Sequence, residues 1–223
     1  MTTPIPTTDA ALTLHQWLSP AFPVGAFAWS HGLEAEVAAG RVTTAARLTA
    51  WLETLLRHGS GRSDAILLAA AFRAEESDTL ADIADLAQAL APSGERRAET
   101  LTQGRAFAAT VSATHGIAVP PMAYPVAVGR AAALCHLPLD LTLRLYLQAV
   151  VGNLVSAAVR LVPLGQTEGQ GALAALAPAI ASVAAEAEAA TLDDVGSAAV
   201  RIDLASMRHE AALSAGETRL FRS

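Results

Sequence analysis

The chain has 223 residues, enough to bury one sizeable core, and its 15 basic and 21 acidic side chains give a formal net charge of −6. This balance excludes the broad positive surface that attracts nucleic-acid phosphates or anionic lipid. Charged residues make up only 16% of the chain, against about 25% in typical soluble domains, so we expect part of the surface to be buried in a complex.

Apolar residues recur at helical spacing along almost the whole chain, and no stretch shows the sustained alternation of a half-buried strand. The clearest pattern predicts a helix that starts after Thr43 or Thr44, ends at Gly59 to Gly61, and has one apolar face made of Leu48, Trp51, Leu52, Leu55 and Leu56. The other predicted helices cover residues 9–18, 30–39, 63–75, 79–90, 95–114, 126–135, 139–161, 170–190 and 198–212.

Proline and glycine mark the breaks between these helices. Pro92 and Gly94 separate two of them, and the three prolines of GIAVPPMAYP, residues 116–125, cannot all lie inside a helix. In the connector RLVPLGQTEGQ, residues 160–170, a proline and a glycine end one helix, and Thr167 with Gln170 has the capping-box spacing that begins the next.

The predicted fold class is therefore all-α. We expect one domain over residues 1–223, a bundle of about ten helices whose alanine-rich faces allow close packing and a homodimer. The terminal segments, residues 1–8 and 211–223, are expected to be flexible.

The composition also bears on cellular location. The most apolar stretches, residues 149–165 and 172–185, are interrupted by polar residues or proline, so no membrane span is predicted. The N-terminus lacks the basic and apolar regions of a secretory signal, which favours a cytoplasmic protein. Cys135 is the only cysteine, so no internal disulfide forms.

The segment SPAFPVGAFAWSHGLE, residues 19–34, concentrates the conspicuous residue types. Ser30 and His31 are adjacent, and adjacent helical residues point about 100° apart, so they do not form a nucleophile and its base. His31 and Glu34 have the i, i+3 spacing that metal-binding bundles use, but no second such pair occurs. The chain has no lysine and hence no phosphate-binding P-loop. We therefore predict a non-enzyme with no catalytic residues, no cofactor and no metal site.

Two segments remain as candidate interaction surfaces. In residues 19–34 the prolines and Gly25 fix a turn before Phe27 and Trp29, and these aromatics suit either the core or an interface. At the C-terminus Arg219 precedes Leu220 and Phe221, and aromatic and arginine side chains often anchor interfaces. A terminal segment can equally be disordered.

Four blocks of the sequence together resemble the urease accessory protein UreF family. They occur in the family's order and span nearly the whole chain: SPAFPVGAFAWSHGLE at 19–34, YPVAVG at 124–129, LVSAAVRLVPLGQTEGQ at 154–170, and ASMRHE at 205–210 with RLFRS at 219–223. The resemblance implies an all-α, homodimeric, non-enzymatic protein of nickel-urease maturation. It implies that the protein, with UreD (also called UreH), recruits the GTPase UreG to apo-urease and regulates its GTP hydrolysis.

The resemblance also implies partner-binding residues, which lie in the first and last blocks. Phe27 and His31 are the strongest of these expectations. The full set is Phe27, Trp29, His31, Glu34, Met207, Arg208, His209, Glu210, Arg219, Leu220 and Phe221. In this family the C-terminal segment becomes ordered against UreD.

Two other functions remain open at this point. One is a GTPase-activating protein in the strict sense, in which an arginine such as Arg219 reaches the nucleotide phosphates. The other is a small helical metal-dependent enzyme with His31 and Glu34 as ligands.

Overall fold

The computed structural model describes residues 10–214 and 219–222. Over these residues it contains ten α-helices, two 3₁₀ turns and no strand, which confirms the predicted all-α bundle. The α-helices are α1 (Ala10–Leu18), α2 (Leu33–Ala38), α3 (Ala45–His58), α4 (Ser60–Arg73), α5 (Ser77–Ala89), α6 (Gly94–His115), α7 (Tyr124–Leu134), α8 (Leu139–Leu161), α9 (Gln166–Ala189) and α10 (Val200–Ser214). The 3₁₀ turns are Ala26–Ala28 and Leu192–Asp194.

The core is centred on α4, α7 and α8. Helix α7 packs against α4 and α6, and α8 packs against α9, which in turn covers α3. A row of aromatic rings crosses this core with centroid separations of 5.5 to 5.7 Å, from Trp17 through Phe107 and Tyr124 to Tyr146. These contacts tie α1, α6, α7 and α8 together, since each ring belongs to a different helix.

Several helices begin or end at residue types that favour helix termini. The side chain of Thr44, one of two candidate caps, accepts a hydrogen bond from the Arg47 amide at 3.3 Å and starts α3. Pro125 lies in the first turn of α7, where its missing N–H leaves no helical bond unmade. Gly116 ends α6 in the left-handed conformation, with φ of 66°.

The starts of α2 and α9 differ from the predicted ones for local reasons, a left-handed turn before α2 and a side-chain cap before α9. Helix α2 begins at Leu33 rather than at residue 30, because His31 and Gly32 have φ angles of 53° and 77°, outside the helical region. Helix α9 begins at Gln166 rather than residue 170. There the Glu168 carboxylate accepts the Gly165 N–H at 2.9 Å and caps the helix before the predicted box.

The glycines after α3 also act differently from expectation. Gly59 ends α3, but Gly61 lies inside α4, which begins at Ser60. A Cβ on Gly61 would lie 2.9 Å from the Leu56 Cα. This glycine therefore allows α4 to turn tightly away from the end of α3, rather than marking a loop.

Helices α8 and α9 are long and apolar enough to span a membrane by length and composition. In their most apolar windows, 50% of α8 and 39% of α9 is buried inside the chain. Core helices of soluble proteins pass the same test, so the finding is weak evidence for a membrane span. The remaining residues of both windows are partly or fully exposed in the described part of the chain.

We predict that Gly129→Ala destabilises the fold. Gly129 lies in α7 where it crosses α4, and an added Cβ would stand 2.2 Å from the Leu68 carbonyl oxygen. Forcing the two backbones apart is expected to cost about 1–3 kcal/mol in the free energy of unfolding, measured by urea denaturation.

The matched control is Gly171→Ala in α9, where nothing lies within 4 Å of the added Cβ. Alanine there is expected to leave stability unchanged or raise it by up to about 1 kcal/mol, since alanine favours the helix over glycine. Equal effects of the two substitutions would contradict the close crossing of α4 and α7.

Candidate functional site

Residues 19–34, which we call the opening segment, form a series of turns held from outside by α8. Gly25 has φ of 73° and leads into the 3₁₀ turn Ala26–Ala28. The Asn153 side chain donates to the Ala26 carbonyl at 2.8 Å, and Arg160 donates to the Phe27 carbonyl at 3.1 Å. With its backbone fixed in this way, the Phe27 side chain is 69% exposed.

The next two candidate residues of the opening segment point inward. Trp29 and His31 are both buried. The left-handed backbone at His31 brings its Nε2 to 3.2 Å from the Glu99 Oε1 on α6. His31 therefore connects the opening segment to charged groups beneath it rather than to the surface.

Those charged groups form a buried ionic cluster, which we define as His31, Asp64, Arg96, Glu99 and Tyr146. The Arg96 guanidinium lies between two carboxylates, 3.2 Å from Asp64 Oδ2 and 3.1 Å from Glu99 Oε2. The Tyr146 hydroxyl donates to Asp64 at 3.2 Å. From outside the cluster, the Gln103 amide donates to Glu99 at 3.0 Å.

Burial and neighbouring charges shift the pKa values of Asp64, Arg96 and Tyr146. Removal from water raises the pKa of the Asp64 carboxyl, and the nearby Arg96 charge opposes that shift. Burial likewise raises the pKa of Tyr146 well above its usual value. Burial lowers the pKa of Arg96, but the Glu99 and Asp64 carboxylates more than compensate, so its net pKa is raised. The guanidinium is thus the fixed positive charge of the cluster.

The C-terminal residues 219–222, which we call the terminal strap, lie across the opening segment. Glu34 accepts two successive backbone N–H groups, that of Leu220 at 2.8 Å and that of Phe221 at 3.0 Å. The Arg222 N–H donates to the Ala28 carbonyl at 2.9 Å. Three consecutive amides of the strap are therefore bound to residues 28–34.

A second charge network holds the beginning of the strap. Arg219 forms a two-pronged pair with Glu95 at 2.6 and 3.1 Å and donates to the His209 carbonyl at 2.7 Å. The His209 ring lies 3.1 Å from Glu34, 3.2 Å from Glu95 and in close contact with the Arg219 guanidinium. The Arg219 side chain is only 7% exposed.

The strap presents its neighbouring side chains to opposite sides. Phe221 is buried, with the Arg160 guanidinium 4.5 Å from its ring centroid. Leu220 is 64% exposed. The Arg222 guanidinium lies 5.8 Å from the Trp29 ring centroid, so the strap also covers that tryptophan.

Helix α10 contributes the remaining candidate residues. Met207 and Arg208 are exposed, His209 is buried, and Glu210 is half-buried with its carboxylate accepting the Gly94 N–H at 2.9 Å. Val200, Leu204 and Met207 form an exposed apolar stripe at i, i+4 and i+7.

A groove of about 650 Å³ lies beside the opening segment, and we call it the α8 groove. Its walls come from α1, α8 and the start of α9, with Phe27 and Arg160 also among its lining residues. The groove reaches down to the ionic cluster at His31, Glu99 and Tyr146. Much of its wall is the apolar surface of α8.

The candidate metal pair is not assembled. His31 faces Glu99, whereas Glu34 faces the terminal strap and His209. Among the described residues, no group of three or more histidine, cysteine, aspartate or glutamate side chains is placed to hold a metal ion.

Sequence reasoning missed the residues that hold the candidate site together, namely Asp64, Glu95, Arg96, Glu99, Tyr146 and Arg160. Glu95 and Glu99 do have i, i+4 spacing, which places them on one face of α6. Charged residues at that spacing usually lie on a solvated face, so nothing in the sequence alone indicates that this face is covered.

We predict that Arg96→Met strongly destabilises the chain. It leaves the buried Asp64 and Glu99 carboxylates without their cation, which typically costs about 3–5 kcal/mol in the free energy of unfolding. The control is Arg57→Met, which removes a half-exposed pair with Glu53 and should cost less than about 1 kcal/mol. Equal urea midpoints for the two variants would contradict a buried cluster.

Comparison with known proteins agrees with these features. The family model described as UreF matches residues 42–177. Full-length relatives named urease accessory protein UreF extend the match over both ends of the chain. One from Cereibacter sphaeroides strain KD131 is 56% identical over 214 residues, covering 96% of this chain and 99% of its own.

Two further relatives of the same name give similar values. The protein of Roseobacter denitrificans is 54% identical over 206 residues, 92% of each chain. That of Bradyrhizobium diazoefficiens is 50% identical over 226 residues, 96% of this chain and 92% of its own. The chain therefore belongs to the UreF family of urease accessory proteins.

Proposed function

We propose that this chain is a non-enzymatic, cytoplasmic scaffold in urease maturation. As a homodimer it binds UreD (UreH), and the two together recruit the GTPase UreG to apo-urease for nickel insertion and regulate its GTP hydrolysis. The observation that carries the proposal is the docking of the terminal strap on the opening segment. This docking turns two distant parts of the chain into one surface.

Three exposed apolar side chains mark that surface. Phe27 and Leu220 are 69% and 64% exposed, and Met207 on α10 is 46% exposed. Arg160 connects the segments that carry Phe27 and Leu220, because it donates to the Phe27 carbonyl and lies over the ring of Phe221, the residue after Leu220. Large exposed apolar residues on a rigid backbone are typical of protein interfaces, because they bury area with little loss of backbone freedom.

The α8 groove supports the homodimer. Its walls include partly exposed apolar side chains of α8 and α9, among them Leu145, Val150 and Leu173. A second copy of the chain that packs its own α8 into the groove would remove these apolar side chains from water. Such a contact would also shield the ionic cluster at the groove floor.

Arg219 is a poor candidate for an arginine finger. Its guanidinium is paired with Glu95, donates to the His209 carbonyl and is almost fully buried. To reach a bound nucleotide it would have to leave all of these partners. We therefore propose that this chain acts on UreG by positioning it, and the strict GTPase-activating alternative has no observation in its favour.

The direct test is co-purification with UreD and UreG, and we predict that Phe27→Ala weakens it. Loss of an aromatic anchor from an interface typically costs about 2 kcal/mol or more, so the dissociation constant for UreD should rise roughly 30-fold, measured by interferometry. The melting temperature should be unchanged because the side chain contributes little to the core.

The control is Leu12→Ala on α1, a side chain with the same 69% exposure outside the opening segment. It is expected to leave UreD binding unchanged. Wild-type protein that fails to bind UreD at low salt would overturn the proposed function.

We predict that Ala149→Arg in the α8 groove converts the dimer to a monomer, because a charged side chain would be buried at the contact. Light scattering measures the molar mass directly. Ala185→Arg, on an exposed part of α9 away from the groove, should keep the dimer mass. A dimer that survives Ala149→Arg would exclude this face as the interface.

A further inference from the structure

We propose that Glu34 is a latch that holds the terminal strap, and that it acts on partner binding only through the strap. The sequence motif suggests a carboxylate that meets the partner directly. In the structure, the contacts of the Glu34 carboxylate are made within this chain instead. The part of this inference that concerns partners rests on the proposed function, whereas the latch itself does not.

Both oxygens of the Glu34 carboxylate are used by the strap. Oε1 accepts the Leu220 N–H at 2.8 Å and Oε2 accepts the Phe221 N–H at 3.0 Å. Hydrogen bonds to an ionised carboxylate are stronger than those between neutral groups. The ionised Glu34 carboxylate has two acceptor oxygens and no donor, so it can accept both backbone N–H groups. A glutamine amide at this position would instead turn its NH₂ donor toward one of these two N–H groups.

The latch decides which strap residue faces outward. With amides 220 and 221 bound to Glu34, Leu220 is exposed and Phe221 is buried beside Arg160. A shift of the strap by one residue would place a different side chain in the Phe221 position. The Arg219–Glu95 pair anchors the start of the strap and the Arg222 N–H bond to the Ala28 carbonyl anchors its end, so the two Glu34 bonds set the backbone between these anchors.

The backbone around Glu34 places it for this role. The left-handed turn at His31 and Gly32 starts α2 at Leu33 and puts Glu34 in its first turn. A Cβ on Gly32 would lie 2.8 Å from the Ser206 amide, so α10 and this turn are in direct backbone contact. Glu34 thereby reaches His209 on α10 as well as the strap, with 3.1 Å between Oε2 and Nε2.

The latch can be tested on the isolated protein with ¹⁵N-phenylalanine labelling. The chain has five phenylalanines, so the Phe221 amide can be assigned by comparison with Phe221→Leu. In Glu34→Gln we expect hydrogen exchange of the Phe221 amide to be at least about tenfold faster, since a bond to a charged acceptor is lost. The other four phenylalanine amides should keep their rates, which shows that the variant is folded.

Glu53→Gln is the matched control, because it makes the same chemical change at a half-exposed carboxylate on α3 that binds only within its own helix. It should leave Phe221 exchange unchanged. Unchanged Phe221 exchange in Glu34→Gln would overturn the latch, whether or not UreD binds.

The effect of the latch on partner binding is tested with a deletion of residues 219–223. If Glu34 acts only through the strap, Glu34→Gln and the deletion each weaken UreD binding, and the combined variant is no weaker than the deletion alone. Additive losses would mean that Glu34 also acts outside the strap, by touching the partner or through His209 on α10, and would overturn this half of the inference. If wild-type protein does not bind UreD while Phe221 exchange responds to Glu34→Gln, the proposed function fails and the latch stands.

Discussion

The Arg96 guanidinium, placed between the buried carboxylates of Asp64 and Glu99, is the interaction on which the rest of the structure depends. It joins α6 to α4 at a point where neither carboxylate could remain charged alone. Two other groups use the same carboxylates, the Tyr146 hydroxyl on α8 and the His31 ring of the opening segment. One cation thus fixes three elements relative to α6.

Helix α6 connects the buried ionic cluster to the candidate partner surface. Glu95 precedes Glu99 by four residues and therefore lies on the same face of α6. Glu99 contacts the opening segment through His31, and Glu95 contacts α10 and the terminal strap through His209 and Arg219. The buried cluster and the exposed surface are therefore attached to consecutive turns of α6. A change at Arg96 is therefore expected to reach the strap through packing, without any contact between them.

Much of the fold could be read from the sequence, because apolar periodicity and capping residues are local signals. The helix through Leu48 and Leu56 and its Thr44 cap are examples. The failures were also local in origin. His31 adopts a positive φ that the sequence gives no reason to expect, and this shortens α2. For the candidate site, the family motifs pointed to the opening segment and the strap. They could not reveal which side chains face inward, since the Glu34–Leu220 and Arg219–Glu95 contacts join residues more than 120 positions apart.

The low charge content has a consequence for the surface. Several charged side chains of this chain are used inside it, in the cluster around Arg96 and in the network of Glu34, Glu95, His209 and Arg219. Buried ion pairs add little net stability compared with apolar packing, but they tolerate only a narrow range of geometries. Their use here helps to fix the position of the strap, whose Phe221 side chain is also buried in the core. The exposed apolar stripe of α10 is surface that a lone chain would keep in water and that the subunits of an assembly would cover.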